Sequence, residues 1–223
     1  MNENKTSPNI KKRLIIVFII IVGILLLMYL LTLIIPKIYQ SFAPKESEII
    51  ADFSFYPADY NENIFDDEEY VALIADGFIE YDNGVNSIVA IDKENAAEQG
   101  EPVQLITNML YSIINGDSEE YNSYFSDRYF ESHDPKGEFT MQKVYDARIT
   151  FFSSEKVEDK TGAYTKYIYK LNYYIYENNG TFRKDIGDES RTQYVVICER
   201  DNKLQIDNIM YNKTMIIPSK DNQ

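Results

Sequence analysis

One cysteine and one histidine in 223 residues leave little room for metal or thiol chemistry. A single residue of each kind cannot build an intramolecular disulfide, a Cys/His zinc site or a two-histidine metal centre, so no metal and no cofactor is expected. Basic side chains are also scarce: 22 Lys and Arg stand against 36 Asp and Glu, a formal charge of −14. Nucleic-acid binding through a basic footprint needs clustered cations to neutralise phosphates, and this balance excludes it. Apolar and aromatic residues are plentiful, 44% and 14%, so the chain can bury enough surface to offset its conformational entropy and fold. No catalytic signature stands in it. Cys198 follows the apolar run Tyr194, Val195, Val196, Ile197 and reads as a buried small hydrophobe rather than a reactive thiol.

From Leu14 to Ile35 every residue is uncharged, and all but Gly23, Tyr29 and Thr32 are strongly apolar. At about 1.5 Å per residue such a helix spans roughly 33 Å, enough for a hydrocarbon core of about 30 Å. Lys11, Lys12 and Arg13 abut its start, with Lys5 further out. The positive-inside rule then puts residues 1–13 in the cytoplasm as a tail and 36–223 outside the cell membrane, a single-pass topology. A cleaved signal peptide is the competing reading, with Ser41, Phe42, Ala43 as a small-residue site. The apolar run is longer than a signal h-region, and Pro44 would follow the cut, so an uncleaved anchor is expected. Residues 1–35 hold four basic groups and one acidic group, which leaves the exterior part more acidic than the whole. Such a field favours cations or basic partners and keeps the domain soluble. The bias toward Lys, Asn, Ile and Tyr, with a nearly cysteine-free exterior, is that of a bacterial chain.

Residues 36–100 read as a juxtamembrane connector and a membrane-proximal subregion. Within them Glu68 to Phe78 fits a short helix turning Val71, Ile74, Ala75 and Phe78 to one side. Tyr81, Asp82, Asn83 and Gly84 form a turn, and Ser87 to Ile91 a strand. From Glu101 the pattern sharpens. Pro102 suits a first helical position, and Val103, Ile106, Met109, Leu110, Ile113 and Ile114 recur at helical spacing up to a cap at Gly116. Asp117 with Glu120 resembles a capping box for a second helix carrying Tyr121, Tyr124 and Phe125 inward. Asp127 would cap a third, through Phe130.

The period then changes to two. A strand starts over Ala147 to Phe152, and Tyr164 to Tyr176 places Tyr167, Tyr169, Leu171, Tyr173 and Ile175 on one face, opposite Lys166, Lys170 and Asn172. Asn179-Gly180 signals a hairpin. Thr192 to Glu199 and Lys203 to Met210 are further strands joined at Asp201-Asn202, with Leu204, Ile206 and Ile209 inward. Helices followed by long antiparallel strands make the fold class α+β, with the folded domain at 101–212 and a C-terminal tail at 213–223.

The order of elements, with Asn115, Gly116, Asp117 before Tyr124, Phe125, Ser126, Asp127, and the last hairpin from Cys198 to Ile209 closing on Leu204, Gln205, Ile206, resembles the nuclear transport factor 2-like fold, also described as cystatin-like. The resemblance covers Val103 to Tyr211. It implies helices packed in the concavity of a curved antiparallel sheet, with a cone between them. One inward-facing anchor followed by such a domain is similar in layout to the bitopic scaffold subunit of type IV secretion and its relatives in Gram-positive conjugation machines. That similarity implies a protein partner or a homo-oligomer at the cell surface.

Family members that are enzymes place acidic or histidine side chains in the cone. Here the inward strand positions are Tyr, Leu, Tyr and Ile, which implies a filled or apolar cone rather than a proton-transfer site, and no enzyme is expected. Tyr124, Tyr167, Tyr169 and Tyr173 are the candidate lining of a site for a small ligand or cell-wall fragment, tyrosine being favoured there for its large area at low entropy cost. Among 19 tyrosines those on the long strand can equally be core with their hydroxyls at a wet rim.

Other constellations read as structure. His133 beside Asp134 and Pro135 is a solvated loop histidine with no serine or cysteine placed to use it. Asp59, Asn61, Asn63, Phe65 and Asp67 fall at calcium-loop offsets, but Ile64 stands where the turn glycine belongs and Tyr70 where the bidentate glutamate belongs. Asp66, Asp67, Glu68 and Glu69 are consecutive, so they diverge, and they suit a helix start. Asn179-Gly180-Thr181 and Asn212-Lys213-Thr214 match the glycosylation triplet, which matters only in a eukaryotic secretory pathway.

Overall fold

The computed structural model describes residues 17, 21–23, 53–85, 87–159, 162–187 and 190–211. Most of the 14–35 anchor, the connector up to residue 52, Asn212 and the C-terminal tail lie outside them. Residues 17 and 21–23 are helical, with Val17, Ile21 and Val22 exposed. Among the described residues no helix is long and apolar enough to cross a membrane.

The described residues from 53 onward belong to one compact α+β unit. Its helices are α1 (Glu68–Ile74), α2 (Glu101–Ile114), α3 (Ser118–Ser123) and α4 (Asp127–Phe130). Its strands are β1 (Ile79–Asp82), β2 (Ile88–Ile91), β3 (Lys143–Asp159), β4 (Gly162–Tyr176), β5 (Gln193–Arg200) and β6 (Lys203–Met210). They form one curved sheet in the order β2-β1-β3-β4-β5-β6, in which β1 runs parallel to β3 and the other neighbours are antiparallel. Register shifts in β3, between Tyr145 and Arg148 and between Phe151 and Ser153, mark bulges of the kind that bend a sheet.

The stripe expected on α2 is the heart of the core: Val103, Ile106, Met109, Leu110, Ile113 and Ile114 are all buried. They meet Val144, Ala147 and Ile149 of β3, Leu171, Tyr173 and Ile175 of β4, and Ile197 and Ile206 from the last hairpin. The odd-numbered face of β4 turns inward as its alternation requires. Asp201 and Asn202 both have positive φ, 52° and 60°, so the β5-β6 turn is of the primed type that matches strand twist.

Several expectations needed correction. The helix after Asp67 ends at Ile74, and Tyr70 is its buried side chain, fully enclosed, while Val71, Leu73 and Ala75 are exposed. Residues Tyr81 and Asp82 end strand β1 rather than belonging to a turn, and the β1-β2 hairpin joins the main sheet through Ile79 to Asp82 beside Ala147 to Thr150. Ser126, one residue before Asp127, caps α4 by accepting from the Tyr129 N–H. Asn179-Gly180 makes no hairpin turn; β4 ends at Tyr176 and β5 starts at Gln193. Asn side chains there bind loop backbone instead, which competes with strand continuation.

A buried cation ties the N-terminal turns to the end of β3. Lys143 Nζ lies 2.6 Å from Asp67 Oδ2, 2.6 Å from Glu177 Oε2 and 3.1 Å from Glu62 Oε1. Burial works to lower the ammonium pKa, but hydrogen bonds to Asp67, Glu177 and Glu62 outweigh it and raise it. The Lys143 bond, helped by the Tyr70 and Glu69 backbone N–H groups, holds Asp67 below the usual carboxylate range. A depressed carboxyl pKa adds stability above the unfolded value of about 4 and loses it as pH falls through the folded value. Lys143→Met is therefore expected to melt lower than the parent at neutral pH, where three carboxylates would face one another. The gap should narrow as pH falls through the depressed Asp67 value of the parent, where the stability supplied by its bond to Lys143 is lost. Melting curves across the acid range check this, and a gap independent of pH would refute it.

Candidate functional site

Between the segment 133–138 and the segment that follows β4 opens a cleft of about 550 Å³, with α2, α3 and the inner face of the sheet at its base, within the range of small-molecule pockets. Met109 and Ile113 of α2 and Ile209 of β6 give it apolar walls, and Tyr121, Tyr129, Tyr173 and Tyr211 bring four phenols to it. The α2-α3 turn positions Tyr121. Asp117 caps α3 by accepting from the Glu120 N–H at 2.8 Å, so that Tyr121 turns inward against Phe125, Phe139 and Phe182, with ring centroids 5.0, 6.1 and 5.3 Å away. Burial pushes the Tyr121 phenol well above its usual pKa, Tyr129 upward, and Tyr211 up to about 12. These hydroxyls stay protonated at neutral pH and serve as donors.

The remaining wall is the segment between β4 and β5. Asn178 shapes it: its amide nitrogen donates to the Arg183 and Ile186 carbonyls at 3.1 and 2.8 Å, and its oxygen accepts from the Gly180 N–H at 2.9 Å. Gly180 has φ +71°, and the Phe55 ring packs so closely that an added Cβ would sit 2.8 Å from it. This fold of the loop buries Arg183, whose side chain is 5% exposed. Its guanidinium forks onto Asp185, with Nε 2.9 Å from Oδ1 and Nη2 2.6 Å from Oδ2. It also stands 5.4 Å from the Tyr173 ring centroid and 5.8 Å from that of Tyr211. Its Nη1 is buried with no hydrogen-bond partner among the described residues. Arg191 reaches the same carboxylate at 3.4 Å and stacks over Tyr211 at 4.2 Å. Burial works to raise Asp185, but the Arg183 bonds overcome it and keep the carboxyl below its usual range. Lys136 donates to the Phe182 carbonyl and lies 4.8 Å over the Phe182 ring; burial lowers its pKa.

Of the four tyrosines expected to line the cone, Tyr173 does so, and Gln193 donates to its hydroxyl at 3.4 Å. Tyr169 is enclosed in the core against Phe151. Tyr167 is half-buried and donates to Glu199 at 3.1 Å, and Tyr124, also half-buried, donates to Glu120 at 2.7 Å. Neither lies in the cavity wall. His133 is an exposed loop residue at the cavity rim, stacked on Tyr129 at 4.3 Å. Cys198 is buried on the opposite face of the sheet with Ile168 and Val196, where burial pushes its thiol up to about 12.

The calcium-like offsets serve the backbone. Asp59 accepts from the Asn61 N–H, Asn63 from Phe65, and Asp67 caps α1. Asp66 accepts from Asn63, whereas Glu69 accepts from Tyr176, so the acidic run diverges. Among the described residues no group of three His, Cys, Asp or Glu is placed to hold a metal ion. Asn179 donates its amide to Thr140 Oγ1 at 2.7 Å.

Arg183, Lys136, Gln193 and Tyr211 are wall residues that sequence reasoning did not single out. Their signal in the sequence is faint: Arg183, Asp185 and Arg191 lie in a polar stretch without periodicity, which is folded inward by the Asn178 hydrogen bonds together with those of Lys136, Thr140 and Gln142. Neither the protein-family models nor the curated proteins contain a match to this chain.

Proposed function

We propose that this is a non-enzymatic, single-pass membrane protein whose extracytoplasmic domain, of the nuclear transport factor 2-like type, binds a small ligand in the cleft between the segment 133–138 and the segment that follows β4. The cavity of about 550 Å³ carries this reading, since a cleft of that size with apolar walls and a few convergent polar groups is the usual form of a ligand site. The order of helices before a four-strand meander supports the family reading, and the uncharged run from Leu14 to Ile35 supports the anchor. Binding without catalysis is favoured by the wall chemistry. The Tyr121, Tyr129 and Tyr211 phenols stay protonated, and the half-buried Asp185 carboxylate is held ionised by two guanidiniums, so none of these is poised to accept a proton at neutral pH.

The test is a titration of the full-length protein in lipid nanodiscs with benzamide, a neutral flat probe, followed by ligand-observed NMR against empty discs. Saturable binding at about millimolar affinity is expected for so small a probe. Ile209→Trp, which fills the cavity from β6, is expected to abolish it while the melting transition is retained. Unchanged binding in Ile209→Trp, or no saturable binding to the parent, would remove the proposal.

A further inference from the structure

The charges of the cavity divide by depth. Asp134, Glu138 and Lys184 sit at the rim, exposed, where water screens them. The inner charges are Arg183, Lys136 and Asp185; Arg191 reaches that carboxylate from outside the cavity wall, its side chain 41% exposed. Two guanidiniums share the one carboxylate there, and the Lys136 ammonium is hydrogen-bonded to a main-chain carbonyl instead of a carboxylate. The interior is therefore positive in a chain whose formal charge is −14. A buried guanidinium normally satisfies its N–H groups, because leaving one without an acceptor is costly. Arg183 uses Nε and Nη2 on Asp185, while Nη1 has no acceptor among the described residues. The phenols of Tyr121, Tyr129 and Tyr173 add donors to the same cavity.

Resting on the reading of this cavity as a ligand site, we infer that its ligand is a small molecule with an oxyanion, a carboxylate or a phosphate, that accepts from Arg183 with Lys136 beside it. Its apolar body lies against Met109, Ile113 and Ile209. An anionic oxygen fits because it supplies the missing acceptor and neutralises the surplus positive charge in one contact, and charge-assisted bonds to guanidinium are the strong ones. A cationic ligand would meet unscreened repulsion, and a neutral one would leave the surplus charge uncompensated.

Benzoate and phenyl phosphate, compared with the neutral benzamide on the full-length protein in nanodiscs, decide the matter. Each anion is expected to bind about tenfold or more tightly than benzamide, with the preference shrinking but persisting as salt is raised. Arg183→Lys and Lys136→Gln should each erode that preference to about threefold or less, with a retained melting transition as the sign that the fold survives. Whichever anion binds more tightly identifies the acid, and either order supports the inference. Equal affinity for benzoate, phenyl phosphate and benzamide would overturn the oxyanion and leave the ligand site standing. A preference that survives in both variants would overturn the assignment to Arg183 and Lys136. No saturable binding of any of the three probes would remove the cavity reading itself, and this inference with it.

Discussion

Gly116→Ala is expected to destabilise the domain by about 3 kcal/mol or more, since a left-handed backbone costs a residue with a Cβ about 1–2 kcal/mol and forced overpacking adds about 1–3. Gly116 has φ +68° and follows the last turn of α2. Its N–H donates to the Ile113 carbonyl, and the next N–H, that of Asp117, donates to Ser112, an arrangement that closes the helix through a left-handed residue. An added Cβ would lie 2.7 Å from Met141 N, 2.9 Å from the Thr140 carbonyl carbon and 3.1 Å from Phe139 O. All three are backbone atoms, so no rotamer change relieves the clash. The turn aims α3 and its Tyr121 at the cavity, so the damage reaches the site as well as the core. Gly137→Ala is the control: its Cβ would meet nothing within 4 Å, and its stability should match the parent. Chemical denaturation of both variants checks the pair, and a loss below about 1 kcal/mol at Gly116 would show that the 139–141 segment yields.

Tyr70→Ala should cost about 3–5 kcal/mol, the range for deleting a large enclosed side chain. Tyr70 is fully buried, it packs in the same core as Ile64, and its hydroxyl donates to the Val144 carbonyl at 3.0 Å. Burial also pushes its phenol pKa upward, as expected for a hydroxyl away from water. Tyr70→Phe separates the contributions, because it keeps the ring and removes only the hydroxyl, at about 1–2 kcal/mol for a carbonyl left without that donor. Equal losses in the two variants would mean that the hydrogen bond, not the packing, holds α1 on β3.

Where a segment's own periodicity matched its burial, the sequence was a sufficient guide. The α2 stripe, the alternation of β4 and the Asp201-Asn202 turn are local patterns, and each is present as read. The failures share a different cause. Strand β1 has four residues, too few for a period to register, and it exists because β3 offers a parallel edge to Ile79–Asp82. Tyr70 was overlooked because a seven-residue helix shows almost any stripe, and what selected it was the space beside Val144.

The candidate site divides along the same line. Tyr173 was legible because strand alternation points it inward; Tyr121 was legible only as an inward-facing residue of a helix capped at Asp117, not as part of a site. By itself the sequence determined the α+β class, the apolar faces of α2 and β4 and the acidic balance of charge, all properties of composition or short-range period. Tertiary structure alone decided that Arg183 would be buried beside Tyr173, that Asp185 would be shared by two guanidiniums, and that a cleft would remain between the segment 133–138 and the segment that follows β4. Burial of a charged loop residue depends on hydrogen bonds and neighbours far away along the chain, and no local pattern encodes those.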